Sequence, residues 1–340
     1  MINLKNIRFL PQAELEIWEG GSIKLPFWIT EEKASPYRPI VEIWADQRSG
    51  AVIYYNLEPH MPSPEKFANT LLKAMTKPLV GPPRRPRRLR VADETAASLL
   101  REKMAELGID VEQVAQCKLV EKISAELSKN MGQQDDGDQL PGLINVPGVA
   151  PDRAEAFFCA AATFYEQAPW RFLSDGEPLE VSCSAFSQSP LHLIIMGSGG
   201  REFGLGLFYE AEDLKKLYRA GGHFDLVRNP MHTASVLFSD PTFVSVEEID
   251  AIEAHQWPIA SPHAYPHMFQ IVPENEQLLQ PPSLDQIDIF EACLLAVPQL
   301  FSRRKSNTPV SKPFAKQVSV KTFHGSRAMR LVFSPQAWNI

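Results

Sequence analysis

Residues 132–142, Gly-Gln-Gln-Asp-Asp-Gly-Asp-Gln-Leu-Pro-Gly, offer almost nothing that a hydrophobic core could use. A polar tract punctuated by Gly and Pro buries no surface and holds no regular hydrogen-bond ladder, so it reads as a connector. The chain on either side must then build its own core. At 340 residues the length also fits two domains. The pattern sets an N-terminal extension over 1–37, an α/β domain over 38–131, a linker over 132–150 and an α+β domain over 151–340.

Before the linker, residues 15–29 (LEIWEGGSIKLPFWI) alternate well enough for a hairpin turned at Gly20-Gly21. RPIVEIWAD (38–46) and AVIYYNLEP (51–59) follow as antiparallel strands about the turn QRSG. Ser63-Pro64 supplies an N-cap and a Pro at the first helical position, and Phe67, Leu71 and Met75 recur at helical spacing behind it. GPPRRPRRLR (81–90) reads as a Pro/Arg connector running into the strand RLRVAD (88–93). A helix closed by Gly108, a strand over 109–116 and a helix over 118–131 complete the order ββαβαβα.

That order, with Asp46 ending the first strand and Asp93 ending a later one, resembles ribonuclease H-like folds. VADETAASLLREKMAELGIDV (91–111) is similar to the second-aspartate segment of integrase and transposase cores. The resemblance implies a metal-dependent phosphoryl-transfer enzyme acting on nucleic acid. Asp46, Asp93 and a third carboxylate, Glu121 or Glu126, would surround two Mg²⁺ ions that activate the attacking oxygen and stabilise the leaving one. Asp93 is equally placed to cap the helix that begins at Glu94.

After the linker, PDRAEAFFCAAATFYEQA (151–168) carries a buried stripe of Phe157, Phe158, Phe164 and Tyr165. LEVSCSAF, LHLIIMG and FGLGLFY then predict an antiparallel meander with short turns. Gly197-Ser198-Gly199-Gly200 superficially matches a dinucleotide-binding loop, which needs G-x-G-x-x-G opening a helix. Here Glu202 holds the third glycine's place, and Phe203, Leu205, Leu207 and Tyr209 alternate at the period of a strand. The glycines therefore read as a hairpin turn. Ser198 fails the G-x-S-x-G nucleophile pattern as well, because it directly follows Gly197.

FYEQAPWRFLSDGEPLEV, LIIMGSGGREFGLGLFYEAEDL and HQWPIASPHAYPHMFQIVPENE resemble an uncharacterised family of bacterial proteins over roughly residues 150 to 300. The signature is a Pro-Trp after a helix, a Met-Gly turn, a Phe-Gly-Leu strand and a closing Tyr. It implies a domain and no activity. Two capping boxes, at Ser245 and Ser283, open later helices, and Pro298 should kink or end the second. A C-terminal hairpin closes the chain. His255, His263 and His267 lie close together, but Pro262 and Pro266 deny them a regular helix, so they read as loop histidines.

The four cysteines form no Cys-x-x-Cys pair, which excludes a zinc knuckle or a dithiol redox motif. No secretory signal or membrane-length apolar run is visible, so a cytoplasmic protein with no membrane partner is expected. The net charge of −7 conceals a segregated tail: no acidic residue follows Glu291, while eight Lys and Arg do. Arg84, Arg85, Arg87 and Arg88 form one basic cluster, and Arg303, Arg304 and Lys305 a second. Either could meet an acidic protein surface or nucleic acid. With no complete catalytic or cofactor motif, the expectation is a non-catalytic interaction or regulatory module needing no cofactor. Mg²⁺ enters only with the phosphoryl-transfer alternative.

Overall fold

The computed structural model describes residues 7–31, 34–131, 142–220, 231–273, 279–302 and 309–335. The chain forms two compact units, Met1–Asp136 and Gly137–Ile340.

The first unit is built on a five-stranded sheet in the order β5-β4-β1-β6-β7. Its strands are β1 (Gln12–Lys24), β4 (Ile40–Asp46), β5 (Val52–Glu58), β6 (Arg85–Val91) and β7 (Asp110–Gln113), while β2 (Ile29–Glu31) and β3 (Ala34–Tyr37) pair separately. β5, β4 and β1 run antiparallel, and β6 and β7 add in parallel. Parallel neighbours need crossovers. Helices α1 (Pro64–Thr76) and α2 (Glu94–Ala105) supply them, and α3 (Lys118–Met131) follows β7.

Three sequence expectations change here. Gln12–Lys24, inside the expected N-terminal extension, form β1, the middle strand of the sheet. Gly20-Gly21 makes no turn: β1 runs straight through it. The glycines serve close approach instead, since a Cβ on Gly20 would meet the Trp44 ring and one on Gly21 would lie 2.9 Å from Val120 of α3. The Pro/Arg connector is also shorter than expected, because β6 already begins at Arg85.

Helix signals in this unit are local and direct. Ser63 accepts from Lys66 N, with Pro64 opening α1, and Asp93 accepts from Ala96 N to cap α2. The buried stripe of α1, Phe67, Leu71 and Met75, meets Trp18, Trp44, Leu89 and Leu100 on one face of the sheet. The opposite face packs Leu25, Val41, Ile43 and Ala45 against Leu119, Ile123 and Leu127 of α3. Two helices cover the first face and one covers the second.

The second unit has a seven-stranded sheet in the order β12-β11-β10-β9-β8-β14-β13, antiparallel throughout. The meander comprises β8 (Leu179–Ser182), β9 (Leu191–Met196), β10 (Phe203–Phe208), β11 (Thr233–Ser239) and β12 (Tyr265–Ile271). The C-terminal hairpin, β13 (Phe314–Thr322) and β14 (Gly325–Phe333), joins it through β8. Helices α4 (Pro151–Gln167) and α7 (Leu284–Gln299) pack together, tied by buried Arg153, which donates to Asp288 Oδ1 at 2.7 Å and Leu284 O at 2.8 Å. α5 (Ala211–Arg219) lies on β9 and β10 through Leu214 and Leu217. α6 (Val246–His255) follows β11.

Gly197–Gly200 turns the chain from β9 into β10. Gly197 sits at φ 130°, and a Cβ there would fall 2.7 Å from Phe203 and 2.8 Å from Trp170. α7 opens with the full capping box at Ser283 and runs through Pro298 to Gln299. The box at Ser245 is only half made: Ser245 Oγ accepts from Glu248 N, while Glu248 Oε2 turns away to accept from Leu143 N at 2.8 Å.

Candidate functional site

The four carboxylates that the ribonuclease H-like resemblance singled out fall in different places. Asp46 is buried and ends β4, not the first strand of its sheet. Its Oδ2 accepts from Ser49 N at 2.9 Å and Ser49 Oγ at 2.6 Å, which shapes the turn into β5. Asp93 is exposed and caps α2. Asp46 pairs with Trp18, Trp18 with Leu89, and Asp93 lies four residues beyond Leu89. Two strand spacings and four residues of rise put the two aspartates on the order of 15 Å apart. Glu121 and Glu126 point outward on α3, and Glu126 pairs with Lys122 at 3.9 Å. Among the described residues no three His, Cys, Asp or Glu side chains gather so as to hold a metal ion.

The first basic cluster lies along β6 and is largely engaged within its own unit. Arg84 Nε donates to both oxygens of Glu16 at 2.9 and 2.8 Å, with its guanidinium 5.5 Å over the Trp18 ring. Arg85 donates to the carbonyls of Leu10 and Leu107. Arg87 pairs with Asp110 at 3.6 Å and Glu14 at 3.9 Å, and Arg88 with Glu112 at 3.7 Å. A strand that brings neighbouring strands into register also brings their carboxylates, which local sequence does not reveal. Arg303, Arg304 and Lys305 lie outside the described residues.

Among the described residues, the first unit carries an apolar groove of about 400 Å³. Val41 and Ile43 of β4 form its floor; Leu25 and Phe27 wall one side, Ile123 and Leu127 of α3 the other. Its open rim is the edge strand. Tyr55 is 53% exposed, Leu57 52% and the nearby Leu79 58%. Side chains of this size gathered along one groove are more than scattered surface apolars.

The backbone of that rim is also unpaired. Asp46 N bonds to Ala51 O, so the even residues of β4 turn toward β5 and pair Trp44 with Tyr54 and Glu42 with Asn56. Tyr55 and Leu57 then turn both their N–H and C=O outward. Among the described residues only Leu79 N reaches this edge, donating to Ile53 O at 2.7 Å. The sequence carried one sign of this: AVIYYNLEP gathers several large apolar side chains, unusual for an edge strand.

The second unit holds a cleft of about 540 Å³, lined by aromatic and polar side chains, where β10 begins and β11 ends. Ser239 Oγ lies 3.1 Å from Nδ1 of buried His267, and His263 pairs with Asp240. His267 is no loop residue: it sits within β12 opposite Leu237. Burial pushes its imidazole down to about 4, so it stays neutral and serves as a hydrogen-bonding partner that ties β11 to β12. Tyr165, Phe203 and exposed Phe243 supply aromatic walls. Ser198, on the neighbouring turn, donates to Asp175 Oδ1 at 2.8 Å. Trp170 and Trp257 serve as packing residues, against Phe203 at 4.9 Å and Phe158 at 5.0 Å.

Among the described residues no helix is long and apolar enough to cross a membrane. No curated protein matches the sequence. Among solved structures, a chain in the cryo-EM structure of the simian T-cell lymphotropic virus intasome in complex with PP2A regulatory subunit B56 gamma is 20% identical, with a TM-score of 0.25. The match covers 43% of this chain and about half, 48%, of that one, and a score so low carries no argument. Residues 3–128 match a domain of unknown function, DUF6930, and residues 155–309 match a second, DUF7309. The two matched stretches fall one in each compact unit.

Proposed function

We propose that the chain is a non-catalytic interaction module that takes an extended, apolar segment of a partner protein along β5. One observation carries this reading: the apolar groove and the outward-facing backbone of Tyr55 and Leu57 belong to the same rim. An added strand would satisfy the free N–H and C=O groups, and its alternate side chains would enter the groove. The order β5-β4-β1-β6-β7, three antiparallel strands and two parallel additions, supports reading this unit as ribonuclease H-like. That fold would serve here as a scaffold, since its candidate carboxylates stand apart and two of them hold a turn and a helix cap.

Replacing Tyr55 with a photo-crosslinking phenylalanine analogue tests the reading in the native host. The expected product joins Tyr55 to an alternating apolar segment of another protein, and Leu57→Glu abolishes it. A crosslink that persists unchanged in Leu57→Glu, or none at all, overturns the reading.

A further inference from the structure

The C-terminal hairpin of the second unit borders a cleft of about 690 Å³. Its lining mixes polar side chains, among them Ser182, Ser184, Gln188, Gln317 and Arg330, with Val318 and Met329, and holds no acidic side chain. Strand register explains how these groups meet. Arg330 of β14 pairs with Ser182 of β8 on one side and with Gln317 of β13 on the other. Directly opposed residues share a face, with Cβ atoms about 5 Å apart. A guanidinium therefore stands between a hydroxyl and a carboxamide, in a row across three strands. One row along, Ala328 faces Ser319, and their small side chains leave the space that makes the cleft.

Arg330 is exposed and forms no ion pair with any described residue. Lys321, on the same face of β13, is likewise exposed and unpaired among the described residues. The nearest carboxylate on that face, Glu180, lies opposite Val332 and beside His192, outside the lining. Arg330 and Lys321 thus present positive charge that no ion pair with a described residue neutralises.

β13 is also the last strand of its sheet. The two-residue turn at Phe323-His324 makes Thr322 and Gly325 a bonded pair, so Gln317, Ser319 and Lys321 turn their backbone groups outward. The side chains of these residues are the ones that share the face of Arg330. Aromatic rings on which a nucleobase could stack are missing from the lining, which favours a peptide over a nucleic acid.

The geometry points to a binding site for an extended acidic peptide, added along β13 with its carboxylates on Lys321 and Arg330. A carboxylate opposite Lys321 and a second opposite Gln317, four residues apart in an extended chain, are about 13 Å apart. The second reaches past Gln317 to the guanidinium of Arg330, with the Gln317 carboxamide beside it. This site is separate from the groove on β5 and does not depend on it.

Fluorescence polarisation of the full chain at low salt tests the site, with a labelled eight-residue peptide alternating glutamate and threonine as probe. Lysine-threonine peptide and an eight-nucleotide oligothymidine serve as the other arms. Only the glutamate peptide is expected to bind, more weakly as salt rises, and Arg330→Gln and Lys321→Gln are each expected to weaken it about fivefold. Both side chains are exposed, so melting curves of the variants should match wild type. Failure of the glutamate peptide to bind, or equal affinity in Arg330→Gln, overturns the proposal. Tighter binding of oligothymidine through the same residues overturns it in favour of nucleic acid.

Discussion

The indole of Trp44 fills the space where a side chain on Gly20 would stand: a Cβ there would lie 2.4 Å from Cζ3 of the ring. The two residues are directly opposed on β4 and β1, so the large side chain of one strand covers the bare backbone of the other. Trp44 also stacks on Phe67 of α1, with centroids 4.8 Å apart. The glycine thereby lets the central strand, the edge-side strands and the first helix close into one core. Gly20→Ala is expected to destabilise the first unit by about 2–3 kcal/mol through overpacking. Denaturant unfolding followed by tryptophan fluorescence measures this. In a double-mutant cycle with Trp44→Leu the alanine should cost much less, and strict additivity would show that the ring is not what excludes it.

Beneath the same helix a carboxylate is fully buried. Glu42 Oε2 accepts from Thr70 Oγ1 at 2.8 Å and from Asn56 Nδ2 at 3.0 Å, while Oε1 has no partner. Thr70→Val keeps the shape and removes one donor, leaving the carboxylate less satisfied, at an expected cost of about 1–3 kcal/mol. Adding Glu42→Gln should recover part of that loss, because a neutral amide is easier to leave underbonded than a charge. Chemical denaturation of the four combinations reads this directly. A Thr70→Val chain as stable as wild type would mean that the buried bond contributes nothing.

Features legible in the sequence share one property: their physics is local. The cap at Ser63-Pro64 with its Phe67-Leu71-Met75 stripe, the capping box at Ser283 and the strand alternation through Phe203–Phe208 involve residues a few positions apart, and the structure forms each of them. Gly20-Gly21 misled because a glycine pair that permits a turn also permits close packing, and only the distant Trp44 and Val120 decide between the two. Likewise the arginines of β6 find their carboxylates on β1 and β7, partners set by register. The candidate sites were hidden for the same reason. Tyr55 and Leu57 become a rim only because β5 lies at the edge of its sheet, and Arg330 meets Ser182 across a sequence distance that no periodicity spans.

His267 makes the second unit sensitive to acid. Its imidazole is lowered from 6.5 to about 4 by burial, so the unfolded chain binds the proton more readily than the folded one. The stability it contributes is present above pH 6.5 and is lost as pH falls through about 4, at roughly 1.4 kcal/mol per pH unit between the two. Glu248 titrates in the opposite sense over the same range, so the slope is exposed in a Glu248→Gln background, where adding His267→Gln should remove it. Thermal melts of these two chains from pH 7 to pH 4 measure it, and equal slopes would assign the acid sensitivity to other groups.

Glu248 works in the opposite sense. Burial raises its carboxyl from 4.5 to about 8, against the smaller opposing effect of the hydrogen bond from Leu143 N. The folded unit therefore holds a proton that the unfolded chain releases, and this stability is complete below pH 4.5 and lost as pH rises through about 8. Between pH 4.5 and 6.5 the slopes of Glu248 and His267 nearly cancel in the wild type, so each is read best with the other removed. In a His267→Gln background, stability should fall by roughly 1.4 kcal/mol per pH unit from about pH 5 toward 8. Adding Glu248→Gln, which can still accept from Leu143 N, should flatten that decline. A Glu248→Gln chain whose stability still falls with the parental slope would show that the buried carboxyl is not the group releasing the proton.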